Sequence, residues 1–366
     1  MEKFKNNTKG ITLVALVITI IILLILATIS IQSLTNTGLF KNAQKAKDET
    51  QNAAENQAKL LNSYEDELNK YVSGTTGKKL ADVVKVGDYV SYTPDTVSNT
   101  DTKYTTLISN LETYSGSTAN TTSTLTQENL KWRVLDIQNG QVRLISETPT
   151  TSKIELYGYN GYNNAVKLLD DTCSTLYNNS KLASKVQNLK IEDITKYMPI
   201  QPTEDTTPYS PTNKYYPEIL LKEKGQTVNE TTGTELNLSQ QTEFINQKTK
   251  TQGDSWTLKK TIWIQNMNNT DSFKDIKYYK LFINNVSNYS TYWMSSRCID
   301  AYSDLAGFNV HIVGNGNINT EPNSLCNSLG SERSCAYAFR PVITLNSNVQ
   351  AISGDGTTAE RAYVIK

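Results

Sequence analysis

The residues best suited to chemistry in this chain are a single histidine and a few cysteines. His311 is the only histidine among the 366 residues, and it lies in the alternating run 307–313. A triad of serine, histidine and aspartate would have to use this residue, but no nucleophile motif accompanies it. The alternating run predicts a strand, and we therefore expect His311 to have a structural role.

The four cysteines predict disulfide bridges rather than a metal centre. Zinc sites place Cys and His ligands in pairs about two to four residues apart, and the sequence contains no such pair. Neither a metal nor a cofactor is therefore expected. An exterior location would permit two bridges, and four cysteines leave three connectivities open. The preferred interpretation is one bridge that joins Cys326 to either Cys298 or Cys335.

Neither the acidic residues nor a glycine-rich turn defines an active site. The chain has 36 Asp and Glu residues, and no pair stands out for the two-carboxylate chemistry of a glycosidase. The run 354–358, Gly-Asp-Gly-Thr-Thr, lacks the Gly-Lys-Ser/Thr ending of a phosphate loop and predicts a hairpin turn. Arg297 and Arg340 border or interrupt apolar runs, which predicts half-buried, hydrogen-bonded structural arginines. No enzymatic activity is therefore expected.

Aromatic composition favours binding over catalysis. The chain has 21 Tyr against 7 Phe and 4 Trp, and with abundant Asn, Thr and Ser this predicts a hydrated, β-rich exterior domain. Tyr157, Tyr159 and Tyr162 alternate with Gly and Asn and could form a platform for sugar rings. The alternative is that they are ordinary half-buried loop tyrosines. The formal net charge is zero, so no nucleic-acid partner is expected.

The longest apolar run of the chain occupies residues 11–31. No Lys, Arg, Asp or Glu occurs between Gly10 and Lys41. An α-helix of about 20 apolar residues is long enough to cross about 30 Å of hydrocarbon. The leader 1–10 is basic, so its end should stay in the cytoplasm while the C-terminal domain lies outside the cell. The sequence therefore predicts a single-pass protein of the cell membrane.

Three fates of this segment are open. A secretory signal peptide would have a shorter apolar region followed by a small-residue cleavage site, and the stretch 30–34 offers only a poor one. An uncleaved anchor is the second alternative. The third depends on the junction of Lys9, Gly10 and Ile11, where a glycine stands directly between the basic leader and the apolar run.

This junction resembles the leader of type IV prepilins, which pilins share with the pseudopilins of type II secretion. The resemblance implies that a prepilin peptidase cuts after Gly10 and that Ile11 becomes a methylated N-terminus. It also implies that the apolar helix serves first as a membrane anchor and then as a filament core. The family usually has Glu at the fifth mature residue, where this chain has Ala15. That departure weakens the case for filament assembly but not for cleavage.

The pattern beyond the apolar run divides the chain into further parts. The run 41–72 has a sparse apolar stripe at spacings of three and four, which predicts a polar helix. A Ser, Gly and Thr stretch then predicts a linker. The predicted organisation is a prepilin leader at 1–10, a transmembrane or pilin helix at 11–32, a helical stalk at 33–72, a linker at 73–80, and an exterior domain at 81–366 with a loop-rich insertion at about 197–252.

Within the exterior domain the clearest local signal is a β-hairpin. The alternating runs 132–137 and 141–146 are joined by Asn139 and Gly140, a pair that tolerates the positive φ angles of a type I′ turn. The run 162–177 then switches to helical spacing. Three weaker patterns predict a loop with a short helical turn at 98–127, a second helix at 180–190, and a single strand at 336–345.

The order of these elements resembles an exterior domain of uncharacterised Gram-positive surface proteins. The motifs that carry the resemblance are Tyr-Trp-Met-Ser-Ser-Arg at 292–297 and Ala-Phe-Arg-Pro-Val-Ile-Thr-Leu at 338–345. They are more distantly similar to C-type-lectin-like and formylglycine-generating folds, which implies a small antiparallel sheet with helices packed against it. The predicted fold class is α+β, with a long N-terminal hydrophobic transmembrane or pilin-type helix followed by a β-rich antiparallel-sheet exterior domain that carries one or two packed helices.

Two functions follow from these resemblances. The first is a prepilin-processed, membrane-anchored surface protein, a pilin or pseudopilin-like subunit of a type IV pilus or type II secretion-like filament. Its partners would be the membrane, a prepilin peptidase and other pilin or pseudopilin subunits. The alternative is a membrane-tethered adhesin whose lectin-like domain binds glycans or surface proteins.

Overall fold

The computed structural model describes two compact units, Met1–Gly74 and Thr75–Lys366. The described residues are 19–22, 49–50, 53, 56–57, 60–61, 64, 77–199, 208–209, 215–219, 239–245, 258–259, 265–266, 273–282, 291–301, 305–314, 317–320 and 324–366.

In the first unit, every described residue is helical. These residues are 19–22 and scattered positions between 49 and 64, and the remainder of the predicted anchor and stalk lies outside the described residues. Across the described parts of the chain, no helix is both long and apolar enough to cross a membrane. The long N-terminal helix of the predicted fold class is therefore not shown, and that part of the fold prediction is wrong.

The second unit contains seventeen strands among its described residues. In chain order they are β1 (Lys78–Lys79), β2 (Tyr89–Ser91), β3 (Trp132–Gln138), β4 (Gln141–Ser146), β5 (Lys153–Tyr157), β6 (Ala183–Asn188), β7 (Pro208–Tyr209), β8 (Leu258–Lys259), β9 (Gln265–Asn266), β10 (Tyr292–Ala301), β11 (Ala306–Gly314), β12 (Asn317–Thr320), β13 (Cys326–Asn327), β14 (Ser334–Ala338), β15 (Pro341–Leu345), β16 (Gln350–Ser353) and β17 (Tyr363–Ile365).

Five α-helices with described bounds and one 3₁₀ turn accompany these strands in the described part of the second unit, where residues 218–219 are also helical. The helices are α1 (Leu80–Val83), α2 (Thr102–Tyr114), α3 (Gly158–Tyr177), α4 (Ile191–Thr195) and α5 (Ile276–Phe282), and the 3₁₀ turn is Ala359–Arg361.

The strands form two large sheets and one small one. The first sheet has eight strands in the order β1-β16-β17-β2-β3-β4-β15-β6. The second has seven, in the order β5-β14-β10-β11-β12-β9, with β13 also paired to β11. Strands β7 and β8 pair with each other.

The prediction of an antiparallel sheet with one or two packed helices is also wrong. Each large sheet is mixed, because β17 pairs in parallel with β2 and β10 pairs in parallel with β14. A parallel pair needs a long connection between its strands, so it joins residues that are remote in sequence. Local patterns of alternation predict strands, but they carry no signal for such pairings.

The Asn139 and Gly140 hairpin is confirmed. Strands β3 and β4 pair antiparallel out to Gln138 and Gln141, and the two turn residues have φ angles of 51° and 77°. Asn139 is the only described residue other than glycine with a positive φ. These are the left-handed conformations that a type I′ turn requires and that Asn and Gly tolerate best.

Helix α3 confirms the predicted helical run 162–177 and begins four residues earlier, at Gly158. It contacts strands of both large sheets, including β6 and β15 in the first and β5, β10 and β11 in the second. Leu168, Leu169 and Leu176 are fully buried along it, together with Cys173. The larger of the two hydrophobic cores therefore lies around α3, and side chains on this helix meet residues from both sheets.

The predicted single strand 336–345 is divided between the two large sheets. Strand β14 ends at Ala338 in the second sheet, and β15 begins at Pro341 in the first. Proline has no N–H to donate to a sheet ladder, and it constrains the residue before it. Phe339 and Arg340 thus form the crossing between the sheets, and both are fully buried.

Candidate functional site

The predicted processing residues Gly10 and Ile11 lie outside the residues that the structure describes. Ala15, which replaces the usual glutamate of the prepilin pattern, lies outside them as well. Cleavage at this junction stays a prediction.

The three tyrosines predicted as a sugar platform do not share an exposed surface. Tyr157 is 38% exposed, but Tyr159 and Tyr162 are 1% and 0% exposed. The Tyr159 hydroxyl donates to the carbonyl oxygen of Asn327, and the Tyr162 ring meets the edge of Phe308 with 5.6 Å between centroids. Burial also raises the pKa of Tyr159 above its ordinary value. Two of the three rings therefore belong to the core.

None of the four cysteines is in a disulfide, so the predicted bridges are not formed in this structure. On β11, Asn309 is paired with Cys298 of β10, and Phe308 is paired with Cys326 of β13. Consecutive strand residues face opposite sides of a sheet, and strands two apart are separated by about 10 Å. A disulfide needs Cα atoms within about 7 Å. These registers do not suit a Cys298–Cys326 bridge, and the pairing with Cys335 stays a prediction.

We expect thiol titration of the purified chain to separate one cysteine from the other three. Burial raises the pKa of Cys173, Cys298 and Cys326 well above its usual range, whereas Cys335 is partly exposed. Because the thiolate is the reactive form, these three should react at least about tenfold more slowly in the folded protein. Four thiols are expected after unfolding without reductant. A count of two would establish a bridge and contradict the free-thiol arrangement.

His311 lies in β11 opposite Thr320 and is 3% exposed. Arg297 and Arg340 were expected to be half-buried. Both are fully buried, so that part of the prediction is wrong. Their guanidinium groups donate to backbone carbonyl oxygens, including that of Asn163 for Arg297 and that of Ser146 for Arg340. The prediction that the arginines are hydrogen-bonded structural groups is confirmed.

The feature that sequence reasoning did not anticipate is a groove along α3. A short piece of chain, residues 239–245, lies in this groove and is called the docked segment below. It has neither helical nor strand structure. Its sequence is Ser-Gln-Gln-Thr-Glu-Phe-Ile, and only its first and last residues, Ser239 and Ile245, are buried. The groove side chains that contact the segment are Tyr114, Asn164, Lys167, Lys190, Glu192, Ser296 and Arg297.

Asn164 holds the C-terminal end of the docked segment through a pair of hydrogen bonds. Its side-chain oxygen accepts from the backbone N–H of Ile245 at 2.7 Å, and its side-chain nitrogen donates to the carbonyl oxygen of the same residue at 3.0 Å. Asn164 is itself fully buried in the middle of α3. One amide therefore satisfies both backbone groups of one residue, a geometry that depends on backbone and not on side-chain identity.

Two cations hold the N-terminal end of the segment in the same way. The Lys190 ammonium donates to the carbonyl oxygen of Ser239, and Arg297 donates to that of Gln240 at 3.3 Å. Lys190 also lies 3.4 Å from a carboxylate oxygen of Asp170. Burial raises the pKa of Asp170, and the charge of Lys190 opposes that rise. Positive charge at this end of the groove therefore meets carbonyl oxygens of the segment.

Side-chain contacts at Phe244 and Ser239 add selectivity. The Phe244 ring stacks on Tyr114 with 4.3 Å between centroids and an angle of 1° between the planes. The Lys167 ammonium lies 4.9 Å from the centroid of the Phe244 ring, within the range of a cation–π contact. At the other end, the Ser239 hydroxyl bonds to the Glu192 carboxylate. An aromatic residue before Ile245 and a small hydroxyl residue at position 239 are thus preferred.

The neighbouring asparagine binds a second piece of chain. The side-chain oxygen of Asn163 accepts from the backbone N–H of Ile219 at 3.2 Å. Beside this contact, Tyr216 is fully buried and its ring lies 6.2 Å from that of Phe308. Consecutive asparagines of α3 therefore each hold a separate segment of the chain between β6 and β10.

A second polar cluster surrounds Asp136 near the end of β3. One carboxylate oxygen accepts from Arg143 at 2.9 Å, and the other accepts from Lys196 at 2.7 Å and Tyr197 at 2.5 Å. Arg143 also donates to Asp193 at 2.6 Å. Burial alone would raise the pKa of Asp136, but Arg143, Lys196 and Tyr197 together lower it below its ordinary value. This cluster links β3, β4 and α4.

The chain matches no known protein family, curated protein or solved structure in comparisons with each. The described residues contain no group of three or more His, Cys, Asp or Glu side chains that could hold a metal ion. Function is therefore argued from the residues themselves.

Proposed function

We propose that this protein is a prepilin-processed, membrane-anchored surface protein that acts as a pilin or pseudopilin-like structural subunit. The observation that carries the proposal is the junction of Lys9, Gly10 and Ile11 between a basic leader and an apolar run. A glycine directly before a long aliphatic run is the feature on which prepilin processing depends. The apolar segment 11–31 would hold the protein in the cell membrane.

The orientation follows from the same residues. The leader carries three lysines, and positively charged flanks stay on the cytoplasmic side of a membrane. The unit Thr75–Lys366 would then lie outside the cell, on the membrane surface or along a surface filament. A structural subunit needs a rigid exterior domain. Arg340 and the Asp136 cluster support this role, because hydrogen-bonded polar networks fix one arrangement of a core.

The groups best suited to catalysis support a structural role in the same way. His311 and three of the cysteines are buried within the core of the second unit. Catalysis at neutral pH generally needs a base or nucleophile that a substrate can reach. We therefore propose a structural protein and not an enzyme.

The processing proposal predicts that Gly10→Leu abolishes maturation. In the wild-type protein, membrane extraction followed by N-terminal sequencing should give a chain that begins at Ile11. A leucine at position 10 would crowd the peptidase site that accepts glycine, so the variant should keep the terminus at Met1 and still insert in the membrane. Intact mass would show the loss of the leader and the added methyl group.

Thr8→Leu is the matched control, because it adds the same side chain to the leader without changing the junction. Its product should begin at Ile11, as in the wild type. A wild-type terminus at Met1, or one downstream of Ala27, would overturn the proposal. The first result would indicate an uncleaved anchor, and the second a secretory signal peptide.

The tyrosines predicted to bind sugar in the adhesin alternative do not form an exposed surface. Tyr159 and Tyr162 are buried, and Tyr157 alone is not a platform. Glycan binding stays a prediction, and no described contact favours it over the structural role.

A further inference from the structure

The docked segment occupies the α3 groove as a peptide ligand would. Its backbone groups make hydrogen bonds with Asn164, Lys190 and Arg297, and the Gln241 side chain donates one more to the Asn164 oxygen at 3.4 Å. Between these two ends, Gln240, Thr242 and Glu243 are exposed. The segment is thus fixed at both ends by groups that any extended peptide could satisfy. Its sequence matters chiefly where Ser239, Gln241 and Phe244 make side-chain contacts.

An empty groove would be unfavourable. Withdrawal of the segment would remove one acceptor each from Lys190 and Arg297 and would leave the side-chain oxygen of Asn164 without the N–H of Ile245. The other bonds of these side chains, to Asp170, to Asn163, and to Tyr114 and Asn160 respectively, would remain. Leaving buried polar groups unsatisfied costs about 1–3 kcal/mol each, and more for charged groups. An equivalent peptide would restore the lost bonds, so exchange of the segment costs less free energy than its withdrawal alone.

The peptide that fits best is the same segment from a second copy of this chain. Such a copy offers every contact of the original, including the Phe244 ring for Tyr114 and the Ser239 hydroxyl for Glu192. The stretches 220–238 and 246–257 connect the segment to Ile219 and to β8, and the shorter of the two, with 12 residues, can reach about 40 Å. Exchange of identical elements between copies is a low-cost route to association.

We propose that the α3 groove is a peptide-binding site that accepts residues 239–245 of a second copy, so that exchanged segments link neighbouring subunits. The inference rests on the proposed function, because it supplies a contact between subunits of an assembly. It does not depend on cleavage at Gly10, since the groove and the segment both lie in the second unit.

Cross-linking of full-length protein in detergent tests the exchange. One chain carries Lys167→Cys and the other carries Gln241→Cys, since the backbone N–H of Lys167 lies 3.4 Å from the Gln241 side-chain oxygen. Both chains also carry Cys335→Ser, which removes the partly exposed native thiol. A short bismaleimide linker should join the two chains in the mixture but give no dimer with either chain alone. Excess synthetic peptide with the sequence of residues 239–245 should reduce the dimer several-fold.

Two control variants define the result. Adding Asn164→Ala to the Lys167→Cys chain should lower the dimer at least tenfold, with circular dichroism used to verify its fold. A chain with Lys153→Cys, on the exposed face of β5, is mixed with the Gln241→Cys chain to measure cross-linking by random collision of two copies. This mixture should give no dimer. A double variant with both Lys167→Cys and Gln241→Cys in one chain measures docking within a single copy.

Three outcomes would overturn the proposal. Cross-linking within the double variant but not in the mixture would mean that the segment binds only its own chain. Absence of cross-linking in both would contradict the docking itself, and equal dimer from Lys153→Cys would mean that copies meet by chance. Any of these results, obtained on protein whose terminus is Ile11, would leave the processing proposal standing.

Discussion

Arg340→Met is expected to destabilise the second unit by about 3–5 kcal/mol, because it removes a buried guanidinium that several carbonyl oxygens share. Arg340 is fully buried at the crossing between the two large sheets. Methionine has a similar length but no donors, so the acceptors would lose their bonds and stay buried. The acceptors are the carbonyl oxygens of Ser146, Glu147, Leu281 and Phe282 and the hydroxyl of Tyr292.

A loss of this size is a large share of the stability of a typical domain, which is about 5–15 kcal/mol. Thermal unfolding of the full-length chain in detergent, followed by near-ultraviolet circular dichroism, should show a midpoint lower by roughly 10 °C. Failure to accumulate folded protein would be the extreme form of the same result.

Arg361→Met provides the control, since Arg361 has a 67% exposed side chain and pairs only at the surface with Asp355. Surface ion pairs contribute little, so its midpoint should hardly change. If Arg340→Met unfolded at the same temperature as Arg361→Met, the carbonyl oxygens around Arg340 would have found other donors. The assignment of this arginine as the link between the sheets would then be wrong.

The elements that the sequence predicts correctly are those whose signals are local. The Asn139 and Gly140 turn needs two positive φ angles, and these two residue types supply them without any help from the rest of the fold. Helix α3 shows buried residues at helical spacing, among them Leu168, Leu169, Cys173 and Leu176. A short window therefore contains all the information that either element requires.

Helix α2 was missed although its signal is present. Tyr104, Leu107, Ile108 and Leu111 are buried and follow the spacing of three and four that defines one helix face. Thr, Ser and Asn surround them, and a stretch rich in these residue types is typical of a loop. The composition of the region therefore predicts a loop, although its periodicity predicts a helix. The spacing of these four residues predicts a helix even where the composition is typical of a loop.

Strand β6 was predicted as a helix, and no local sequence pattern would predict the strand instead. The run 180–190 was predicted as a helix, but Ala183–Asn188 pairs antiparallel with β15. Intrinsic propensity is a weak preference, and a free sheet edge overrides it when the register buries Val186 on the core side. The partner strand lies more than a hundred residues away, so the sequence near β6 gives no indication of it.

The α3 groove could not be predicted from sequence for the same reason. Asn163 and Asn164 fall within a helical run, where asparagine more often points to a turn or a cap. Their role follows from the segments that reach them, Ile219 and Ile245, which lie in a stretch predicted to be a loop-rich insertion. Two adjacent buried asparagines in a helix are nevertheless a usable signal, because a buried amide requires polar partners.

Asp136→Asn is expected to destabilise the second unit by about 3 kcal/mol at neutral pH, because it removes the charge that Arg143, Lys196, Tyr197 and Gln138 share as donors. The Asp136 side chain is 6% exposed, and its partners Arg143 and Lys196 would stay close together with less negative charge between them. Asp193 would remain as the other carboxylate of the cluster. The midpoint of thermal unfolding at pH 7 should fall accordingly.

The pH dependence of this effect distinguishes loss of charge from loss of packing. Arg143, Lys196 and Tyr197 hold the pKa of Asp136 below its ordinary value of 3.8 in the folded protein, against the effect of burial. A depressed pKa stabilises the folded state above the ordinary pKa, and that contribution disappears as the pH falls through the folded-state value. The difference between the wild type and Asp136→Asn should therefore be constant between pH 6 and 8 and shrink as the pH falls below about 4. Asp82→Asn, at an exposed carboxylate of α1, should show little effect at any pH. A difference for Asp136→Asn that stayed unchanged down to pH 2.5 would mean that shape and hydrogen bonding, and not the charge of this carboxylate, hold β3, β4 and α4 together.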